Sequence, residues 1–220
     1  MLSRRFQKDA TAIAFDLRHR KTIDFNIGRY DVAVAGGKAR YRDLEAAKSA
    51  AAAIKRQVLA NWEHYLLEFE RNCKANGTEV LWAADSKEAG AYIRSIIRDN
   101  NARLIVKSKS MTTEEIELNE LAAEEGCESL ETDLREFIVQ VAGEKPYHIV
   151  TPAMHKSKED VAALFHEKFG TAPGENPVAL TNFVRELLRK KYLTADIGIT
   201  GANFLVADTG SVSVTENEGN

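Results

Sequence analysis

Two apolar runs near the end of the chain, Asp196-Ile-Gly-Ile-Thr200 and Phe204-Leu-Val-Ala207, each give way to a loop of glycine and short polar side chains. The loops are Thr200-Gly201-Ala202-Asn203 and Asp208-Thr209-Gly210-Ser211. Glycine lets a ligand approach the backbone closely, while Thr, Asn and Ser offer neutral donors and acceptors. Thr200, Gly201, Asn203, Thr209, Gly210 and Ser211 are therefore candidate ligand-binding residues. Upstream, Lys107-Ser-Lys-Ser110 ends an apolar run and directly precedes a helix start. Ammonium groups, hydroxyls and a helix N-terminus together suit an anion, which adds Lys107, Ser108, Lys109 and Ser110 to the candidates. Thr132 and Thr151 close two further expected strands and complete the set.

Three residues are candidates for proton transfer. His155 has the side chain suited to general acid or base work, although a histidine beside a lysine is also an ordinary surface feature. Asp208 and Glu216 lie where several carboxylates could share a site with the lysines and shift one another's pKa. The same groups can equally form a structural ion-pair network, and Asp208 is also a natural turn former. Asp133 reads as a helix cap. The first apolar run is followed by Ala84-Asp-Ser-Lys-Glu88 and not by G-x-G-x-x-G, which argues against a nicotinamide-binding site. Neither a P-loop nor a G-x-S-x-G elbow occurs.

The elements that would position these residues alternate between strand and helix from about Asn76-Gly77 onward, the pattern of a parallel sheet covered by helices. Strands are expected at Val80–Ala83, Arg103–Lys107, Glu128–Thr132, His148–Thr151, Asp196–Thr200, Phe204–Ala207 and Ser211–Thr215. Helices are expected after Asp85, after Thr112 with Glu115 as a capping box, after Asp133, after Ser157, and after Asn176-Pro177. In such a sheet, ligands bind beyond the carboxyl ends of the strands, where the polar loops fall. Residues 1–76 differ, reading as a helical arm, with 77–220 as the α/β domain. Between Asp43 and Asn72, apolar residues from Leu44 to Phe69 recur every three or four positions, the stripe of one long helix. Phe25–Gly37, interrupted by glycines, reads as an irregular connector.

The chain has 220 residues, 44% of them hydrophobic, and a formal net charge of -3, so a general nucleic-acid binder is not expected. Its two cysteines, Cys73 and Cys127, lack metal-ligand spacing, and no histidine pair supplies it. No metal site is expected in this chain. Reduced thiols, no apolar run of membrane length and no secretory leader together suggest a soluble, cytoplasmic protein.

Four segments carry a resemblance: Lys107-Ser-Lys-Ser-Met-Thr-Thr-Glu-Glu115, Glu131-Thr-Asp-Leu-Arg-Glu-Phe-Ile138, His148-Ile-Val-Thr-Pro-Ala-Met-His-Lys156, and Ala195–Ser211 with Glu216-Asn-Glu-Gly-Asn220. In order and spacing the chain resembles the lactate-utilisation iron-sulfur proteins, the LutB (LldF) family, from about Val80 onward. The arm is similar to that family's N-terminal region. The resemblance implies a LUD domain with the NagB/RpiA/CoA-transferase-like fold. It also implies a place beside two other lactate-utilisation subunits in bacterial oxidation of L-lactate to pyruvate. Two [4Fe-4S] clusters are implied for the full-length family member, in a ferredoxin-like segment that has no counterpart here. This chain alone is therefore expected to bind an anionic ligand and take part in assembly, without carrying electrons. Two other readings stay open: a stand-alone isomerase or acyl/CoA-transferase-like enzyme using Asp208 or Glu216 as base, and a scaffold whose arm docks partners.

Overall fold

The computed structural model describes residues 2–148 and 151–215. The N-terminal region is helical: α1 (Leu2–Ala14), α2 (Leu17–Lys38), α3 (Leu44–Ala60) and α4 (Trp62–Ala75). The connector expected at Phe25–Gly37 is instead the second half of α2. Each glycine weakens a helix by only about 1 kcal/mol, and other contacts offset that. Asp16 caps the first turn by accepting from the Arg18 and His19 N–H groups, and Asn26 Nδ2 donates to Met154 O at 2.9 Å. The long helix expected from Asp43 to Asn72 is two helices. They part at Asn61, whose Nδ2 donates to Gln57 O at 2.9 Å and so draws on a carbonyl of the helix end.

After this region, the chain alternates helix and strand. Val80–Ala83, expected as a strand, is irregular, and Leu81 and Trp82 stand about half exposed, with no strand paired to them among the described residues. Asp85 caps α5 (Ser86–Asp99), and β1 (Leu104–Lys107) follows with every residue buried. The helix expected from Thr112 begins earlier. Ser110 is the N-cap of α6 (Met111–Glu115), its hydroxyl accepting from Thr113 N, so Thr112 lies inside the first turn. A left-handed residue, Glu117 (φ 53°), separates α6 from α7 (Leu118–Glu124). Then come β2 (Glu128–Glu131), α8 (Leu134–Ala142) capped by Asp133, α9 (Lys158–Phe169) and α10 (Pro177–Thr194) capped by Asn176. Ile149 and Val150 of the strand expected at His148–Thr151 lie outside the described residues.

Three strands form one parallel sheet in the order β2-β1-β3, with β3 at Ile197–Ile199. Val106 stands opposite Leu130 on one side and Gly198 on the other. The α/β class with helices covering a parallel sheet is thus as expected. β4 (Phe204–Val206) and β5 (Ser211–Ser213) do not extend it; they pair antiparallel with each other as a separate hairpin. Alternation along β1 divides the core. Leu104 joins Phe137, Phe165, Leu180 and Val184 of α8, α9 and α10, whereas Ile105 joins Ile97 and Leu121 of α5 and α7.

The entry to α9 is a reciprocal cap. Ser157 Oγ accepts from Asp160 N at 3.2 Å, and Asp160 Oδ2 accepts from Ser157 N at 2.9 Å. Ser157→Ala is expected to lower stability by about 1 kcal/mol in urea unfolding. A change under about 0.3 kcal/mol would show that the cap contributes little.

Candidate functional site

The carboxyl ends of the parallel strands bring seven of the expected residues together. Ser108 N donates to Ile199 O at 2.9 Å, and its hydroxyl lies 2.9 Å from that of Thr200. A Cβ on Gly201 would meet the Ser110 side chain at 3.5 Å, so the loops after β1 and β3 touch. On the other side, Thr132 sends both its N–H and its hydroxyl to Lys107 O, at 2.9 and 3.0 Å. Lys107 and Lys109 leave the same strand end. They reach different acids.

Lys107 is 1% exposed. Its ammonium is 2.5 Å from Glu131 Oε1 and 3.3 Å from Glu114 Oε1, and it donates to Thr113 Oγ1 at 3.3 Å. Burial raises the Glu131 carboxyl above its ordinary range even though Lys107 and Asn119 favour the charged form. Glu131 Oε2 is buried with no hydrogen-bond partner. Lys109 Nζ sits 3.7 Å from Glu136 Oε1, in a pair where both side chains are nearly buried. Burial pushes the Glu136 carboxyl up to about 7; Lys109 opposes the rise, while Glu131, Asp133 and Glu114 add to it. The edge therefore holds two ammonium groups and a carboxyl that changes protonation near neutrality. Protonation of Glu136 makes the net charge at this edge more positive. Reading the sequence missed Glu131, Glu136, Glu114 and Thr113. Glu131 was in principle accessible, being the register partner of Lys107.

Other expected residues lie in two further places. His155 stacks on Tyr147 with ring centroids 5.1 Å apart, and its Nε2 lies 2.7 Å from Glu144 Oε2. Lys156 Nζ takes the other oxygen of Glu144, also at 2.7 Å. Burial favours the protonated Glu144, but the hydrogen bonds from Lys156 and His155 together hold its carboxyl below the usual range. Thr151 Oγ1 is 3.3 Å from His148 Nδ1 in the same region. The third place is the hairpin turn. Asn203 N donates to Ser213 O and its Oδ1 accepts from Thr215 N, so this side chain braces the hairpin itself. Asn72 Nδ2 donates to Ala207 O and Asp208 O, Asn76 Nδ2 to Thr209 O, and Cys73 Sγ to Gly210 O. The turn carrying Asp208, Thr209, Gly210 and Ser211 thus rests on the end of α4. Glu216 lies outside the described residues.

A [4Fe-4S] cluster is held by four thiolates. The chain has two cysteines, and their thiols point to different elements: Cys73 to the hairpin turn, Cys127 to the start of β2. Among the described residues, no group of three or more His, Cys, Asp or Glu could hold a metal ion. These residues do not fit a cluster.

Residues 66–220 match the model of the LUD domain family, and the chain belongs to that family. Its relatives sharpen the assignment. Lactate utilization protein B of Bacillus velezensis is 46% identical over 217 residues, covering 94% of this chain and 46% of that protein. The protein of the same name from Bacillus subtilis is 45% identical over 217 residues, and that from Lysinibacillus sphaericus is 49% identical over 179. The chain spans a little under half the length of the Bacillus relatives, 46% and 45%. No solved structure matches it. The family resemblance carried by the four segments is borne out. Among the described residues, no helix is long and apolar enough to cross a membrane.

Proposed function

We propose that this chain is the LUD domain of a bacterial lactate-utilisation protein, binding an anionic ligand at the carboxyl edge of β1 and serving the assembly that oxidises L-lactate to pyruvate. The observation that carries the binding site is the Lys109–Glu136 pair beside the Ser108 and Thr200 hydroxyls. The names of the relatives support the lactate-utilisation setting. In this reading two other lactate-utilisation subunits are the partners, and the compartment is the cytoplasm, where Cys73 and Cys127 stay free thiols. The two [4Fe-4S] clusters of the family would be held by other residues of the assembly. The part assigned to the residues at this edge is to bind, to orient and to hold a proton at Glu136.

Calorimetric titration with L-lactate and with pyruvate tests this site. The expected result is binding that weakens at least about tenfold in Lys109→Ala, the loss of one charge-assisted contact. It is also expected to be tighter near pH 6 than near pH 8, because the anion competes with ionised Glu136 for Lys109. Equal affinity for Lys109→Ala and the parent chain would remove the edge from the proposal. Lys107→Ala is a less clean probe because it strands buried Glu131.

A second reading draws on the same carboxyl. A base that titrates near neutrality suits an isomerase or acyl-transfer reaction on this edge. Turnover of a phosphosugar or a CoA ester by the purified chain, abolished in Glu136→Gln, would favour it.

A further inference from the structure

Helix α2 does not pack flush against the domain. Between it and the first turns of α8, α9 and α10 lies an open cleft of about 530 Å³. Its apolar floor is supplied by Ile138, Met154, Val161, Phe165 and Leu180. Its charged lining is of one sign: Arg29 from α2, Arg135, Lys156 and Lys158, with no Asp or Glu among the described residues that line it. Two of these cations have carboxylate partners outside the lining, Lys156 with Glu144 at 2.7 Å and Lys158 with exposed Glu159 at 3.6 Å, while Arg29 and Arg135 complete the positive lining. Asp133 caps α8 through the N–H groups of Arg135 and Glu136, and Glu144 bridges His155 and Lys156. Asp160 holds Ser157 and Arg18. Three helices also begin here, at Leu134, Lys158 and Pro177, and each adds partial positive charge at its N-terminus. Polar ties hold α2 in place over the cleft: Arg18 to Asp160 at 2.8 Å, His19 to the Tyr147 hydroxyl at 3.0 Å and Asn26 to Met154 O at 2.9 Å.

We propose that this cleft is a second binding site, separate from the β1 edge, for an organic phosphate with an apolar body that lies between α2 and the domain. The volume falls in the range of sites for molecules far larger than a three-carbon acid. Guanidinium groups and helix N-termini recognise phosphate oxygens, and the apolar floor takes up a hydrocarbon or ring that water would otherwise surround. Because Arg29 sits on α2 and Lys158 on the domain, the bound phosphate tightens the contact between them.

Octyl phosphate is the probe, titrated calorimetrically against the full chain. It is expected to bind at least about tenfold more tightly than inorganic phosphate, which lacks the body, or octanol, which lacks the charge. Octyltrimethylammonium, with the opposite charge on the same tail, is expected not to bind. Arg29→Glu with Lys158→Glu should weaken octyl phosphate by at least about tenfold. A glutamate at the first turn of α9 also suits that helix, so an unchanged melting curve is expected to accompany the loss. Lys109→Ala should leave octyl phosphate binding unchanged, which separates this site from the edge. Equal binding of octyltrimethylammonium, or undiminished octyl phosphate binding by the double variant, would overturn the proposal.

Discussion

Gly210→Ala is expected to undock the β4–β5 hairpin from α4 and to lower stability by about 3 kcal/mol. Gly210 has φ +65°, a conformation that side chains with a Cβ rarely adopt. A Cβ there would overlap the backbone of Asn72 and Cys73 at the end of α4, and backbone cannot give way as a flexible side chain does. The turn would lift, releasing the hydrogen bonds that Asn72, Cys73 and Asn76 give to it. Gly174→Ala is the control: φ is +70°, but nothing lies within 4 Å, so only the backbone strain of about 1 kcal/mol is felt. Urea unfolding of both variants gives the comparison, and amide exchange across Phe204–Ser213 reports the hairpin directly. Equal destabilisation in the two, with the hairpin still protected, would show that the close approach to α4 carries no weight.

The second large effect is a pH dependence. Burial raises the Glu136 carboxyl from its usual 4.5 to about 7 in the folded chain. Between these values the native state holds a proton that the unfolded chain has lost. The group's stabilising contribution is therefore complete below about pH 4.5 and disappears as pH rises through 7. With water reaching the rim of the cluster, the loss is on the order of 2 kcal/mol. Glu136→Gln removes the titration. Stability measured from pH 5 to 8 is expected to fall more steeply in the parent chain than in the variant. Loss of the Lys109 partner shifts the variant's absolute level, so the readout is the difference in slope. Parallel pH profiles would show that Glu136 ionises normally.

β1 was legible in the sequence because its apolar run is short, continuous and bounded by polar residues, as expected of a strand buried on both faces, whereas β2, with Leu130 alone among Glu and Ser, was legible only from its place in the strand–helix alternation. Caps were legible for a similar reason: Asp85, Asp133, Ser157 and Asn176 act on N–H groups two or three residues away, well within a local window. What escaped depends on distance along the chain or on exposure. Val80–Ala83 has the composition of a strand but no strand paired to it among the described residues, and composition does not report neighbours. Phe204–Val206 has the same run character as Ile197–Ile199, yet only the latter reaches β1. The glycines of α2 suggested a break, but helical hydrogen bonds are local and tolerate an exposed Gly. The acids facing Lys107 and Lys109 were hidden differently. Glu136 falls three residues after Asp133, where a cap's reciprocal glutamate is expected, and its burial beside Lys109 follows only from how α8 lies on the sheet.

The strand order also has a consequence in time. β1 finds its first partner soon, since β2 follows α6 and α7, but its other neighbour arrives much later: Ser108 and Thr200, which meet across β1 and β3, are 92 residues apart. At synthesis rates of roughly 5–20 residues per second, the nascent chain carries one flank of β1 open for about 5–20 s. Through that interval Ile105 and Val106 present unpaired backbone to whatever is near. β3, which closes that flank, is made only after every described helix from α1 to α10.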